Sequence, residues 1–214
     1  MAAAEAPRLF VLAGVNGAGK SSVGGAMFRA NGADYFNPDE AAKSLMAANP
    51  GLTQTQANSA AWHRGKELLE RAIQRRLDFA LETTLGAGTM PKLLEGAAAQ
   101  GFEIYVWYVG LESVEQHLAR VQARVREGGH DIPEADVRRR FTHSRLNLIR
   151  LLPMLTGLRM YDNSAEANPA KQLAPRPVLV LHMERGKIVG PDDLSATPSW
   201  AKPVVAAAMK LSLA

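Results

Sequence analysis

The segment best suited to chemistry is a glycine-rich stretch, Gly14 to Ser21, which reads GVNGAGKS and matches G-x-x-x-x-G-K-[S/T] in full. Its glycines let the backbone curl, so that successive N–H groups and the start of a following helix can surround phosphate oxygens. We expect the Lys20 ammonium to bridge the β and γ phosphates of ATP and the Ser21 hydroxyl to bind Mg²⁺. The predicted nucleotide-binding residues are Gly14, Asn16, Gly17, Ala18, Gly19, Lys20, Ser21 and Ser22.

Two carboxylates bear on where the γ-phosphoryl group goes, to water or to another molecule. Asp39 follows the second predicted strand and Glu82 ends the third. The carboxyl ends of parallel strands line one crevice beside the phosphate loop, where a carboxylate can accept a hydroxyl proton or hold substrate hydroxyls. This placement favours transfer to an alcohol. The alternative for Asp39 is an acid that stabilises a helix N-terminus. The alternative for Glu82 is a solvated strand end.

A third feature is rich in arginine. Between Gln116 and Arg150 there are eight arginines, no lysine and four acids, so this stretch carries 8 − 4 = +4, the whole formal net charge of the chain. Arginine forks suit phosphate oxygens. Helical periodicity turns Arg120 and Arg139 outward. It leaves Arg124 and Arg126 on one helix, and Arg138 and Arg140 on the next, beside the core. We predict a helical lid that closes such arginines over the transferring phosphates. The alternative is a solvated surface hairpin.

Composition bounds the class of protein. The chain has 214 residues, of which 47% are hydrophobic and 21% charged, as in ordinary soluble globular chains. The absence of cysteine excludes a disulfide scaffold, a thiolate zinc site and a cysteine nucleophile. No apolar run reaches the roughly 20 residues of a membrane span, and MAAAEAPRLF does not resemble a secretory signal. We therefore expect a cytoplasmic protein without a membrane partner.

The elements that must position these residues alternate between strands and helices. Predicted strands cover residues 9–13, 33–36, 78–83, 103–109 and 158–161, with helices between them. A helix is expected from the phosphate loop to about Arg29, and others begin at Asn37, Thr53, Met90, Ser113 and Asp131. A hairpin around Arg185-Gly186 and a helix from Pro203 to Leu213 complete the chain.

This order predicts an α/β fold of the P-loop NTPase type. We expect a mostly parallel five-stranded sheet with helices on both faces, a helical lid, and a C-terminal β-hairpin and helix. The predicted organisation is a P-loop kinase core over residues 1–175, with its lid at about 114–152. A hairpin-and-helix appendage, 176–214, packs on the same domain.

Taken together, these motifs resemble the zeta-toxin family of P-loop kinases over roughly residues 8–164. The resemblance rests on GVNGAGKSS, FNPDE, LETT and RVQARVREGGHDIPEADVRRRF. It implies a kinase that uses ATP and Mg²⁺ to phosphorylate a sugar hydroxyl of UDP-N-acetylglucosamine, and an antitoxin protein as partner. It also implies that Asp39 is the base, that Glu82 and Thr84 hold the substrate, and that Arg124, Arg126 and Arg140 bind phosphates. The sequence departs from the toxins at Gly86, where they carry an arginine.

The leading prediction is thus an ATP-dependent kinase of a small hydroxylated molecule, such as a nucleotide sugar. One alternative is a polynucleotide 5′-kinase, against which stand the confinement of the basic excess to the lid and the low aromatic content of 6%. A second alternative is a nucleotide-binding regulator that transfers nothing. His130, beside two glycines, is predicted to be a loop or capping residue rather than a catalyst.

Overall fold

The protein is built around a single mixed sheet. The computed structural model describes residues 5–25, 35–165 and 176–213. Its sheet has six strands in the order β2-β1-β3-β4-β5-β6. The strands are β1 Arg8–Ala13, β2 Phe79–Thr83, β3 Glu103–Gly110, β4 Gly157–Asp162, β5 Val178–Glu184 and β6 Lys187–Gly190. Pairing is parallel from β2 to β4 and antiparallel from β4 to β6.

The helices follow the predicted alternation. They are α1 Pro38–Ala48, α2 Gln54–Arg75, α3 Thr89–Ala99, α4 Val114–Arg126, α5 Glu134–Leu151 and α6 Lys202–Leu213. A wide helical turn, Ser21–Gly25, follows the phosphate loop. The rest of the helix predicted to run to about Arg29 lies outside the described residues. None of the helices in the described ranges is long and apolar enough to cross a membrane.

The α/β fold predicted from the sequence is confirmed, with two corrections to the sheet. The predicted hairpin does not stand apart, because β5 pairs with β4 along seven residues of the strand and makes the sheet six-stranded rather than five-stranded. In the second predicted strand, 33–36, the first two residues lie outside the described part. In its described part, Phe36 forms a parallel bridge to Leu81.

Local signals in the sequence account for several element boundaries. The Asn37 side chain accepts hydrogen bonds from the backbone N–H groups of Asp39 and Glu40, which caps α1. Thr53 and Gln56 form a reciprocal capping box at the start of α2. Both boundaries match the prediction.

The main core lies on one face of the sheet. Alternate residues of the central strands, such as Leu9, Ile104 and Leu158, pack there against helices α2, α3, α5 and α6. A smaller cluster on the opposite face joins Leu12 to Val23 of the helical turn. Because β2, β1, β3 and β4 run parallel, their carboxyl ends meet along one edge of the sheet. The phosphate loop begins at this edge.

Candidate active site

The phosphate loop joins β1 to the helical turn, and its shape depends on glycine. Gly17 and Gly19 have φ angles of 81° and 82°, in the left-handed region that L side chains rarely adopt. A Cβ on Gly17 would fall 2.7 Å from the carbonyl oxygen of His117. The loop therefore holds a curled backbone pressed against α4, which is the geometry that lets N–H groups converge on an anion.

Neighbouring elements hold the loop from outside. The His117 ring on α4 donates its Nδ1–H to the backbone oxygen of Asn16 at 2.8 Å, and the Asn163 amide donates to the backbone oxygen of Ala18 at 2.9 Å. Arg120 donates in turn to the backbone oxygen of Asn163. Burial lowers the pKa of His117 to about 4, so the ring is neutral at pH 7. The loop is thus fixed by groups that are distant from it in sequence.

Lys20 and Glu82 form a buried ion pair at the base of the site. Their side chains are 7% and 9% exposed, and the ammonium nitrogen lies 3.4 Å from a carboxylate oxygen. The other Glu82 oxygen accepts hydrogen bonds from the Ser21 hydroxyl at 3.3 Å and from the Asn37 amide at 3.4 Å. Glu82 is therefore not a solvated strand end, since it joins three predicted site elements: the phosphate loop, the cap of α1 and the end of β2.

Asp39 lies one turn above this pair, in the first turn of α1. Its Oδ2 atom accepts from Arg124 Nη1 at 3.3 Å, and its Oδ1 atom lies 3.8 Å from His130 Nε2. The Asp39 side chain is 38% exposed, whereas the His130 side chain is only 8% exposed. Burial, the largest influence, lowers the pKa of His130. Asp39 thus keeps one carboxylate oxygen beyond hydrogen-bond distance of these neighbours.

The predicted lid arginines do not all reach the site. Arg140 Nη1 donates to the Asn16 side chain of the phosphate loop at 2.8 Å, and Arg124 reaches Asp39. Arg126 is exposed at the end of α4 and does not line the cavity described below. Arg139 is also exposed and pairs with Asp136. The outward orientation expected for Arg120 is wrong, because its guanidinium turns towards Asn163 beside the loop.

Thr84 belongs to a tight turn after β2. Its hydroxyl accepts from the backbone N–H of Gly86, and its carbonyl accepts from the Ser144 hydroxyl on α5. The next residue, Leu85, is buried with a φ of 51°, a left-handed conformation that costs a leucine on the order of 1–2 kcal/mol. The Asn147 amide donates to the Leu85 carbonyl at 2.7 Å and holds the turn in this shape.

These elements enclose one cavity of about 760 Å³. Its lining includes five of the residues predicted from the sequence: Lys20, Asp39, Glu82, Thr84 and Arg140. Its remaining wall comes largely from α2 and from the α4–α5 connection. The α2 residues are Gln54, Thr55, Asn58, Ser59, Trp62 and Gly65, and the connection contributes His130, Asp131, Ile132 and Pro133. The volume lies in the range typical of small-molecule sites.

Sequence reasoning missed two residues of this region, His117 and Asn163, and it assigned His130 to a loop without a place in the site. His117 occupies the apolar stripe of α4 beside Val121, and a histidine on an apolar face is a signal that could have been followed. His130 and Asn163 carry no local signal, because each gains its role only from contacts with residues far along the chain.

The donor set fits nucleotide phosphates and a magnesium ion. The Ser21 hydroxyl and the Glu82 carboxylate lie 3.3 Å apart, and hard oxygen donors of this kind suit Mg²⁺. No cluster of three or more His, Cys, Asp or Glu side chains suited to a metal occurs within residues 5–25, 35–165 and 176–213. Mg²⁺ commonly takes its other ligands from substrate phosphates and water.

Comparison with known proteins gives the family. Residues 9–143 match the AAA domain family AAA_33. The chain belongs to this family of AAA domains. An uncharacterized protein of Haemophilus influenzae (strain ATCC 51907 / DSM 11121 / KW20 / Rd) is 32% identical to this AAA domain over 129 residues, which are 60% of this chain and 88% of that protein.

Solved structures share the fold. The AvrRxo1-ORF1:-ORF2 structure with ATP superposes with a TM-score of 0.64 and 17% identity, over 96% of this chain and 76% of that one. A structure of the PezAT chromosomal toxin–antitoxin system of Streptococcus pneumoniae gives 0.54 and 13%, over 98% and 88% of the two chains. At these identities the likeness shows that the AAA domain has the same fold as those proteins.

Proposed function

We propose that this AAA-domain protein is an ATP- and Mg²⁺-dependent kinase that transfers the γ-phosphoryl group of ATP to a hydroxyl of a small molecule. The observation that carries the proposal is the cavity that Asp39 lines together with the phosphate loop and Arg140, with Arg124 bound to Asp39 from behind. A switch or motor needs no cavity for an acceptor beside its phosphate loop. The fold shared with an ATP-bound structure supports ATP as the donor.

In the proposed reaction, the acceptor oxygen bonds to the γ-phosphorus while the bond from that phosphorus to the β–γ bridging oxygen breaks, and ADP leaves. The hydroxyl proton passes to the Asp39 carboxylate. Lys20, Arg124 and Arg140 stabilise the charge on the phosphoryl oxygens. The Ser21 hydroxyl, with the Glu82 carboxylate close by, would hold Mg²⁺, which would supply positive charge opposite the phosphates. Glu82 also holds the Lys20 ammonium by an ion pair and the Asn37 side chain by a hydrogen bond.

The acceptor implied by the zeta-toxin resemblance is UDP-N-acetylglucosamine, and it is the compound to be tested against acceptors without phosphate groups. The proposed contacts are Glu82 and Thr84 from the turn after β2 and Asp39 from α1, all on the cavity wall. Arg126, implied by the same resemblance, is not among the proposed phosphate ligands because it is exposed and away from the cavity.

The lid arginines weigh against the alternative of a polynucleotide kinase. Seven of the eight arginines between Gln116 and Arg150 are engaged within the protein: Arg120 with Asn163, Arg124 with Asp39, Arg138 with Glu115, Arg139 and Arg140 with Asp136, Arg145 with Trp200, and Arg150 with Glu95. A phosphate track along a nucleic acid needs several unpaired cations in a row.

The test is incubation of the protein with γ-labelled ATP, Mg²⁺ and a metabolite extract, followed by mass spectrometry. We expect a species heavier by one phosphoryl group that is absent with Asp39→Asn and with Lys20→Met. Tight ATP binding without transfer to any compound would instead support the nucleotide-binding regulator.

We also propose a protein partner of the antitoxin type. The PezAT structure comes from a toxin–antitoxin system and AvrRxo1-ORF1 was solved with a second component, ORF2. A partner of this kind would act by covering the cavity. Co-purification with the product of a neighbouring gene, together with loss of ATP turnover on its addition, is the expected result, and full turnover in the complex would contradict it.

A further inference from the structure

The cavity has two unlike halves, and the difference bears on the acceptor. Among the described lining residues, the two cationic groups, Lys20 and Arg140, lie in the half next to the phosphate loop, with Arg124 just behind Asp39. The other half is formed by the face of α2. Its groups are uncharged amides and hydroxyls with one aromatic ring, namely Gln54, Thr55, Asn58, Ser59 and Trp62.

The cations near the phosphate loop are already required by the donor. In the proposed reaction, Lys20, Arg124 and Arg140 serve the phosphates of ATP. The described residues that line the cavity include four carboxylates, Asp39, Glu82, Asp131 and Asp136. Burial lowers the pKa of His130, which disfavours a positive charge on this ring. Three of the four carboxylates are paired with cations: Glu82 with Lys20, Asp39 with Arg124, and Asp136 with Arg140. Among the residues that the structure describes, no cation on the cavity wall is thus left for a phosphate on the acceptor.

Packing also excludes a cation from the turn after β2. A Cβ on Gly86 would lie 2.5 Å from Cγ and 3.2 Å from Cα of Arg140. A longer side chain at this position would have to displace the backbone of α5, which Ser144 and Asn147 fasten to the same turn. The wall is thus closed to an arginine at residue 86, and the nearest guanidinium belongs to Arg140, which is bound to the phosphate loop.

We infer that the acceptor is a polyhydroxylated compound without a phosphate or carboxylate group, such as a free sugar, an amino sugar or a polyol. Its hydroxyls bond to the amides and hydroxyls of α2 and to Thr84, and its apolar face lies on Trp62. This inference rests on the proposed function and makes it narrower, since it excludes nucleotide sugars and sugar phosphates.

A charge-resolved assay tests the inference. A metabolite extract is divided by anion exchange at neutral pH into a flow-through of uncharged and cationic compounds and an eluate of anionic compounds. Each fraction is incubated with the protein, Mg²⁺ and γ-labelled ATP, with Lys20→Met as the control. We expect a Lys20-dependent product from the flow-through, formed at least about tenfold faster than any product from the eluate, the scale of one unfavourable charge contact.

The possible outcomes distinguish a wrong acceptor class from the absence of kinase activity. A product that comes from the eluate, or from both fractions equally, or from purified UDP-N-acetylglucosamine, would overturn the inference and leave the kinase in place. If neither fraction gives a product, the proposed function itself fails.

A variant of the α2 face locates the acceptor. Trp62 is 36% exposed and lines the cavity. With Trp62→Ala, we expect the KM for the acceptor to rise about tenfold, because acceptor binding is weakened. The KM for ATP should change less than about twofold. Leu146→Ala removes another exposed apolar side chain, on α5, and should change neither value. An equal rise in both KM values for Trp62→Ala would contradict the placement.

Discussion

Two ion pairs of the candidate site have similar N–O distances, 3.4 Å and 3.3 Å, but differ in burial and in the elements that hold them. Lys20 and Glu82 are 7% and 9% exposed and are held by the phosphate loop and the end of β2, which belong to the rigid centre of the sheet. Arg124 and Asp39 are 36% and 38% exposed and belong to two helices packed on the rim. A buried pair is costly to break, whereas a half-exposed pair exchanges partners easily. The first pair therefore builds the site and the second is free to act in it.

Removing the Lys20 ammonium from the buried pair should have the largest effect on phosphoryl transfer. We expect Lys20→Met to abolish most phosphoryl transfer, because the ammonium is needed chiefly in the transition state. It should also lower the melting temperature, since Glu82 loses its partner in a buried site. Transfer is measured with labelled ATP, and unfolding by circular dichroism.

A double variant then separates charge from fold. Lys20→Met with Glu82→Gln leaves no unpaired buried charge, so we expect the melting temperature to recover while transfer stays lost. Recovery of both would show that Lys20 serves only the structure.

The half-exposed pair should behave in the opposite way. With Asp39→Asn, we expect transfer to slow by roughly 10²- to 10⁴-fold, the range for loss of a general base. Stability should fall by at most about 1 kcal/mol, because asparagine is also tolerated near a helix N-terminus. Titration should find ATP affinity unchanged within a few-fold. A variant with the wild-type rate would return Asp39 to a role in stabilising α1.

The lid arginines differ in how close they lie to the cavity, and their variants should differ in rate accordingly. We expect Arg124→Ala and Arg140→Ala each to slow transfer by roughly 10²-fold, the scale of one lost transition-state donor. Arg126→Ala, at an exposed position away from the cavity, is the matched control and should stay within about twofold on the same scale. Steady-state rates at saturating ATP are the measurement. A slow Arg126→Ala enzyme would mean that α4 moves further during the reaction than its contacts indicate.

The smallest effect concerns acid stability and the ring behind the phosphate loop. Burial lowers the pKa of His117 from 6.5 to about 4, so the unfolded chain binds a proton more tightly than the folded protein. The free energy of unfolding should therefore fall as the pH falls from about 6.5 towards about 4. In His117→Gln, whose amide can still donate to Asn16, this part of the pH dependence should vanish. Denaturant unfolding at several pH values checks it, and an unchanged slope in the variant would refute the assignment.

Much of this molecule could be predicted because its signals are local. The phosphate loop, the Asn37 cap and the Thr53 capping box depend on residues within a few positions of one another, and the structure has them at those positions. The number of strands was wrong because the pairing of β5 with β4 is a tertiary contact. The orientation of Arg120 was wrong for the same reason, since Asn163 draws it inward. The function assigned to the site residues stays a prediction that the variants above test.

The Trp200 ring has a consequence for how the protein reaches its folded state. It stacks on Tyr108 at 6.1 Å, donates to the Asp162 carboxylate and covers Gly110, where a Cβ would lie within 3 Å of its ring atoms. Trp200 follows Asp162 by 38 residues along the chain. During synthesis, the ends of β3 and β4 are thus made well before the ring that covers them, and their apolar surface stays exposed to other chains in that interval. A nascent chain that ends before Trp200 is therefore expected to need a chaperone, although its phosphate loop is already complete in sequence.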